Sequence, residues 1–173
     1  MKKSIYLLMM GAALAFSSCD KEDVGGTATE AMAGEWYVYV TCVDDNGSTV
    51  YEDDEFFGLG NFHLLTYNTS SNVEDQMWVN DLGNFWDFAV KVDCDLNTLT
   101  FTSNGYVANN SYECNVEISD GKIIYDAATT PSGMAADSIE FYVAFDDDPY
   151  PEYYGFAKYK ISGYRYTGFD ADE

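Results

Sequence analysis

Basic side chains are scarce in this sequence. Its 173 residues contain eight Lys and Arg and one His against 30 Asp and Glu, which gives a formal net charge of −22. Proteins that bind nucleic acid need Lys and Arg to neutralise the backbone phosphates. The composition therefore excludes nucleic acid as a partner, and it predicts that an anionic lipid surface repels the folded part of the chain.

A long apolar run is also absent. The most apolar segment, residues 5–16, follows two lysines and falls short of the roughly 20 residues that a membrane-spanning helix needs. A basic start and a short apolar segment are typical of a cleaved signal peptide. Residues 16–19 resemble the lipobox at which lipoprotein signal peptidase cuts before a cysteine, with Phe16 where Leu is commonest. We therefore predict a signal peptide over residues 1–18 and lipidation of Cys19; the alternative is an ordinary signal peptide with an incidental cysteine.

Residues 19–33 are predicted to form a lipidated, flexible and acidic tether. They are small and polar, as linkers are. Several acyl chains at Cys19 would hold the protein stably in a membrane, since each buried methylene contributes about 0.8 kcal/mol. The segment Asp20–Asp23 resembles the acidic export signal of lipoproteins in the Bacteroides group. This resemblance implies an outer-membrane location that faces the cell surface; a plain linker on a periplasm-facing protein is the alternative.

Three cysteines remain after Cys19, and an odd number leaves at least one unpaired in an oxidising compartment. Cys42, Cys94 and Cys114 all fall on apolar stripes. In a simple meander Cys94 and Cys114 lie two strands apart, about 9 to 10 Å, whereas a disulfide needs Cα atoms within about 7 Å. We expect free thiols that act as small core residues, with a disulfide as the alternative.

Catalytic motifs are missing. His63 is the only histidine, no Gly-x-Ser-x-Gly motif occurs, and Ser132 and Ser138 fit turn and strand-start positions. The acidic groups Asp53-Asp54-Glu55 and Asp146-Asp147-Asp148 match no known calcium loop. The sequence therefore predicts no catalytic residue, no metal ligand and no cofactor, and it favours a protein that is not an enzyme.

What the sequence contains instead, over residues 34–173, is alternation of apolar and polar side chains. In the runs 86–94 and 139–145 every second residue is apolar, which is the period of a half-buried β-strand. Turn residues such as Asp45-Asn46-Gly47 and Asp120-Gly121 separate such runs. The pattern predicts one all-β domain, an antiparallel up-and-down barrel of about eight strands, because closure removes exposed sheet edges.

Several motifs resemble those of a known family. Gly34-x-Trp36 is similar to the first strand of lipocalins and other calycins. The chain also resembles the lipoproteins of the Bacteroides group called lipid-binding putative hydrolases, through Gly34-x-Trp36, Asp120-Gly121-Lys122, Ser132-Gly133, Asp137-Ser138-Ile139 and the segment Gly163–Phe169. This resemblance, over about residues 34–169, implies a calycin-like barrel and a lipid-like ligand. It carries no catalytic residue over to this sequence.

Aromatic residues supply the candidate binding site. Five of them lie on apolar stripes and are predicted to line the inside of the barrel as ligand contacts: Trp36, Trp86, Phe88, Phe141 and Phe145. A barrel of about eight strands either holds one small ligand or is filled by its side chains, so the alternative is that these rings meet and fill it. Further tyrosines crowd the last quarter of the chain and suit a wet cavity or a contact surface.

Three functions follow. The first is a surface-anchored, non-catalytic module that binds an apolar or amphipathic small molecule. The second is a module that recognises a surface protein or glycan as an accessory to nutrient uptake, for which an exposed aromatic patch would replace the cavity. The third, a hydrolase, rests on the family label and requires a cleft with convergent polar groups.

Overall fold

The computed structural model describes residues 26–172, which form ten β-strands and three short helical segments. The strands are β1 (Gly34–Val43), β2 (Thr49–Tyr51), β3 (Phe62–Asn68), β4 (Gln76–Asn80), β5 (Ala89–Asp95), β6 (Thr100–Thr102), β7 (Val107–Ala108), β8 (Asn115–Thr129), β9 (Ala135–Phe145) and β10 (Lys158–Arg165). The helices are α1 (Asp53–Phe56), α2 (Tyr150–Tyr154) and a 3-10 helix, Asp170–Asp172. Within this part of the chain no helix has the length and apolar character needed to cross a bilayer. The predicted signal peptide and Cys19 lie outside the described residues.

The sheet closes on itself into an antiparallel barrel. Its eight strands, β1, β3, β4, β5, β6, β8, β9 and β10, neighbour one another in chain order, and β10 returns to pair with β1. The closing register runs from Trp36 opposite Arg165 to Val43 opposite Lys158. The short strands β2 and β7 pair at the side with β1 and β8. The predicted up-and-down barrel of about eight strands is therefore confirmed.

Apolar side chains from all eight barrel strands meet in one continuous core. β9 shows why the sequence folds this way: Ile139, Phe141, Val143 and Phe145 are buried, and the residues between them are only half-buried. Side chains alternate between the two faces of a strand, so a two-residue apolar period delivers one residue in two to the inside. Each Å² of apolar surface removed from water contributes roughly 25 cal/mol, which makes this core the main stabilising feature of the barrel.

β5 is shorter than its alternation pattern predicts. The apolar period runs over 86–94, but the strand begins only at Ala89. Residues 81–88 instead form a loop in which Asp87 has a left-handed φ of +54°. The predicted start of this strand is wrong because a buried polar side chain, described below, organises the loop.

The predicted turn at Asp120-Gly121 is also wrong. β8 continues through these residues, and its pairing with β9 shifts between Ser119 and Lys122, which makes a β-bulge. A side chain at Gly121 would place its Cβ 2.4 Å from the Phe101 ring. Glycine stands here because the backbone and a core ring approach closely, not because the chain reverses.

The connections between strands fall into two groups, because successive strands of a meander run in opposite directions. The N-terminal end of the barrel comprises the segments 26–33, 69–75, 96–99, 130–134 and 166–172. The aromatic end comprises the segments 44–61, 81–88, 103–114 and 146–157, and it carries α1 and α2.

The chain enters the barrel at the N-terminal end. Met32 is fully buried, its carbonyl accepts the Thr66 hydroxyl at 2.6 Å, and Thr66 Oγ1 accepts Trp36 Nε1–H at 2.8 Å. Arg165 lies over the Trp36 ring at 4.4 Å and donates to the Ala33 carbonyl at 2.8 Å. The last residues of the predicted tether are therefore packed against the barrel.

The three described cysteines are free thiols, as expected. Cys42 and Cys114 are buried and Cys94 is partly buried. Cys94 lies in β5 and Cys114 directly precedes β8. β6 lies between these two strands, so the two cysteines are two strands apart, as the simple meander predicted.

Candidate functional site

A continuous cluster of aromatic rings occupies the aromatic end. Neighbouring centroids lie between 4.7 and 6.5 Å apart, which is the range of favourable aromatic pairs. The aromatic cluster consists of Tyr51, Phe56, Phe57, Phe62, Phe85, Trp86, Phe88, Phe145, Tyr150, Tyr153, Tyr154, Phe156 and Tyr159. It therefore joins three of the four segments of this end to the barrel wall.

The aromatic cluster extends from the core to solvent. Tyr159 is fully buried, and Phe145 stacks on Trp86 with centroids 5.0 Å apart and planes 18° from parallel. Trp86 is half-buried and perpendicular to the Tyr150 ring at 5.8 Å. Tyr150 is 39% exposed and Tyr153 is 79% exposed. A molecule that approaches this end meets tyrosines with polar tips first and the larger indole beneath them.

A buried carboxylate shapes the loop that presents Trp86. Asp81 is fully buried and its two oxygens accept five backbone N–H groups at 2.8 to 3.0 Å, those of Gly83, Phe85, Trp86, Asp87 and Phe88. Backbone donors in a loop must be satisfied when they are buried, and the Asp81 side chain accepts most of those in this segment. Asp81 therefore fixes the positions of three members of the aromatic cluster.

Acidic residues also hold the segment around α1. Glu52 and Glu55 form a reciprocal capping box at its N-terminus. Asp53 accepts the backbone N–H of Leu59 at 3.1 Å and of Gly60 at 2.7 Å, which folds the following loop back onto the helix. The carboxylates of this segment thus have a structural role in placing its phenylalanines.

α2 presents the tyrosines of the rim. It begins after Pro149 and ends at Gly155, whose φ of +78° is the left-handed conformation that terminates helices. The Tyr51 hydroxyl donates to the Tyr154 carbonyl at 3.2 Å and ties the helix to β2. The short helix therefore sits across the mouth of the barrel as part of the aromatic cluster.

Two buried polar groups at the base of the aromatic end, the Tyr159 hydroxyl and the Cys42 thiol, are held protonated. Tyr159 donates its hydroxyl to Asp148 Oδ2 at 2.6 Å, and burial, reinforced by that carboxylate, raises the pKa of Tyr159 far above its ordinary value. Burial also raises the pKa of the Cys42 thiol to about 12, with Asp148 and Asp53 adding to the effect. Neither group forms its anion near neutral pH, so neither serves as an activated nucleophile.

The structure brings three of the five predicted ligand contacts together. Trp86, Phe88 and Phe145 meet in the aromatic cluster, whereas Trp36 lies at the N-terminal end and Phe141 lies inside the barrel between the ends. Four of the five are buried in the filled interior, and Trp86 reaches the mouth. That these residues contact a ligand stays a prediction.

Sequence reasoning missed Phe56, Phe57 and Phe85, which link the separate parts of the aromatic cluster. They lie in short loop and helix segments that have no two-residue period. The composition of these segments could have indicated them, because bulky aromatic residues among Gly and Asp in a loop need an apolar surface to pack against.

His63 lies on the outer face of β3, since its neighbours Phe62 and Leu64 point into the core. Its Nδ1 is 2.7 Å from Glu35 Oε1, and its ring centroid is 5.2 Å from that of Tyr37. Among the described hydrogen bonds, none joins His63 to a serine or cysteine side chain. The histidine therefore belongs to a hydrogen-bonded pair on the outer surface of the barrel.

An open groove of about 660 Å³ crosses β5, β6 and β8. Asp93, Asp95, Thr100, Thr102 and Lys122 line it, together with residues around the bulge of β8. These side chains alternate with core residues, which places the groove on the outside of the barrel. Cys94 and Phe101 also line the groove, so its surface is mainly apolar; none of its lining residues belongs to the aromatic cluster.

A second group of polar atoms lies at the rim. Cys114, Asp146 and Asp147 bring ligand-type atoms within 4.8 Å of one another. Tyr112 donates to Asp147 at 2.9 Å and the Asn115 backbone N–H to Asp146 at 2.8 Å, so both carboxylates are already hydrogen-bonded. Two carboxylates are far fewer than the six to eight oxygen ligands that Ca²⁺ takes.

Comparison with known proteins tests the predicted resemblance. No curated protein matches the chain. The family model described as lipid-binding putative hydrolase matches residues 21–170, which include the whole barrel and all segments of the aromatic end. Since this match covers well over half of the sequence, the chain belongs to the lipid-binding putative hydrolase family.

Proposed function

We propose that this protein is a lipid-anchored surface protein whose barrel binds a lipid-like amphiphile at the aromatic end, without catalysis. The aromatic cluster carries the proposal, because it offers an apolar surface that continues from buried Phe88 through Trp86 to the exposed Tyr150. The family description supports a lipid-like ligand.

The ligand would dock across the mouth and not deep inside the barrel. Side chains from all eight strands already pack in the interior, so an acyl chain there would have to displace buried rings such as Phe141. At the mouth the covering elements are short helices and loops, whose rearrangement disturbs fewer contacts. Tyrosine hydroxyls at the rim suit the polar head of an amphiphile, and the rings beneath suit its chain.

The position of the tether supports an outward orientation of this site. The described chain begins at Gly26, at the N-terminal end of the barrel, and Cys19 lies seven residues before it. Seven extended residues span at most about 25 Å. An anchor at Cys19 would therefore hold the N-terminal end near the membrane and turn the aromatic end away from it.

The absence of catalysis is proposed from the buried groups at the base of the aromatic end. Tyr159 and Cys42 are held protonated, and His63 lies on the outer face of the barrel. A hydrolase of the serine or cysteine type needs a nucleophile hydrogen-bonded to a base, an arrangement that these residues lack.

A second candidate function rests on the exposed tyrosines of α2. Tyr153 is 79% exposed and Tyr154 is 45% exposed, and aromatic rings of this kind also stack on sugars or contact protein surfaces. Recognition of a surface glycan or protein would use the rim alone and leave Trp86 beneath it uninvolved.

Trp86 separates these two functions. We would use the mature chain, residues 19–173 with Cys19→Ala so that no acyl group is attached, and titrate it with uncharged dodecyl maltoside below its micelle concentration. Calorimetry should show saturable binding that Trp86→Ala weakens about tenfold, which corresponds to the loss of roughly 55 Å² of indole contact at about 25 cal/mol per Å². The matched control is Trp78→Ala, whose indole stacks on Tyr67 at 6.5 Å on the outside of the barrel.

Loss of binding in the Trp86 variant alone would support the proposal, provided that both variants keep the wild-type circular dichroism and melting temperature. Equal binding by the two variants, or no saturable binding by the parent protein, would contradict it. Saturable binding of an oligosaccharide that survives Trp86→Ala would favour recognition by the rim.

A further inference from the structure

The aromatic end is strongly and one-sidedly charged. Its segments contain six carboxylates in 44–61, two in 81–88, one in 103–114 and four in 146–157, thirteen in all. The same segments contain no Lys, Arg or His. These four segments therefore carry negative charge and no positive charge.

No described ion pair compensates this charge. In the described part of the chain the ion pairs lie elsewhere and join Lys122 and Lys160 to Glu140 and Arg165 to Asp137. His63 is hydrogen-bonded to Glu35 on the outer face of the barrel. Lys158, which follows the last of these segments, lies over the Tyr142 ring at 4.2 Å. Negative potential at the mouth of the barrel thus remains available to a molecule from solvent.

Hydrogen bonds hold carboxylates of this end close to the rings. Asp148 accepts the Tyr150 backbone N–H at 2.9 Å as well as the Tyr159 hydroxyl, which puts a carboxylate between the floor and the rim of the aromatic cluster. The backbone N–H of Asn115 lowers the pKa of Asp146 below its ordinary value. Aromatic faces and carboxylates attract the same kind of group, an organic cation.

We propose that the amphiphile bound at the aromatic end carries a positively charged ammonium headgroup. The inference rests on the proposed function for the apolar part of the ligand, and on charge complementarity for the head. A fatty acid or a phosphate-bearing lipid would bring a negative group towards thirteen carboxylates and be repelled. A small hydrated metal ion would gain from the carboxylates but not from the rings.

Three probes that share a twelve-carbon chain test the inference on the mature chain with Cys19→Ala: dodecyltrimethylammonium, dodecyl maltoside and dodecyl sulfate, each below its micelle concentration. We expect the ammonium probe to bind about tenfold or more tightly than the maltoside at low salt, and the sulfate to show no saturable binding. The preference should shrink when 0.5 M NaCl is added, because salt screens exposed charges.

A pair of charge variants locates the effect. The first variant combines Asp147→Asn and Glu152→Gln and removes two charges from the aromatic end. It should bind the ammonium probe about fivefold more weakly at low salt and bind the maltoside with unchanged affinity. The matched control, Glu74→Gln with Asp75→Asn, removes the same two charges from the exposed 69–75 segment at the N-terminal end. It should change neither affinity.

The outcomes separate this inference from the function on which it rests. Equal binding of the ammonium and maltoside probes, both lost in Trp86→Ala, would overturn the charged headgroup and keep the amphiphile site. Tighter binding of the sulfate, an equal effect of the two charge variants, or binding of a lysine-rich peptide in place of the ammonium probe would also overturn it. Absence of saturable binding for every probe would overturn both.

Discussion

Replacement of Asp81 by Asn tests how the mouth of the barrel is built. The carboxylate is fully buried and accepts five backbone N–H groups, three of them at Oδ2 from Phe85, Trp86 and Asp87. An amide keeps one acceptor oxygen but turns an NH₂ group towards the other donors. Whichever way the amide is oriented, at least two buried N–H groups lose their acceptor.

The expected loss of stability follows from this count. A buried donor left without a partner costs about 1–3 kcal/mol. At least two such donors are left, and the loop will relax in part, so we expect a loss of about 2–4 kcal/mol, which corresponds to a drop in melting temperature on the order of 10 °C for a domain of this size. Urea unfolding followed by circular dichroism measures it directly.

The control is Asp44→Asn, which alters an exposed loop where Asp44 Oδ1 accepts the N–H groups of Asn46 and Ser48. We expect that variant to lose less than about 1 kcal/mol, as for other surface substitutions. If Asp81→Asn is no more destabilising than Asp44→Asn, the buried carboxylate does not organise the loop. Weaker dodecyl maltoside binding by folded Asp81→Asn would further connect the loop to the ligand site.

Three further predictions concern the cysteines. Cells grown with a clickable fatty acid should label the wild-type protein and not Cys19→Ala, since lipidation requires this thiol; a label that persists in the variant would remove the anchor. The mature chain with Cys19→Ala should contain three reactive thiols when denatured without reductant, and a count of one would reveal a disulfide. In the folded protein Cys94 should react with a thiol reagent before Cys42, and its reaction should become faster as the pH rises. Burial raises the pKa of Cys94 to about 11 and that of Cys42 to about 12, and the Cys94 side chain is partly exposed. A faster reaction at Cys42 would contradict this order.

Local patterns in the sequence were enough to predict the strands and the face that each strand buries. Buried and more exposed residues alternate from Ile139 to Phe145 in β9 and from Trp36 to Val40 in β1, and side chains of a strand point to opposite faces whatever the neighbouring strands are. Short strands without a helical period then leave few architectures, of which a closed meander removes the exposed edges. The free cysteines followed from the same spacing argument.

Alternation failed where a contact from outside the strand decided the structure. The apolar period continues back to Trp86, but Asp81 gathers the backbone N–H groups of 83 and 85–88, so the strand begins at Ala89. Asp120-Gly121 has the composition of a turn, yet the adjacent Phe101 ring and the pairing with β9 make it a bulge. The first outcome depends on a side chain of the preceding loop that has no part in the apolar period, and the second depends on partners that are distant in sequence.

The candidate site itself was decided by tertiary structure. Sequence reasoning grouped Trp36, Trp86 and Phe141 as one inner wall, because each lies on an apolar stripe. An apolar stripe predicts which face of a strand is buried, but it does not predict how far along the barrel axis a residue lies. The strand register places Trp36 and Trp86 at opposite ends of the barrel. The aromatic cluster forms because the closed meander brings alternate connections to one end, where rings and carboxylates from three separate segments meet around the mouth.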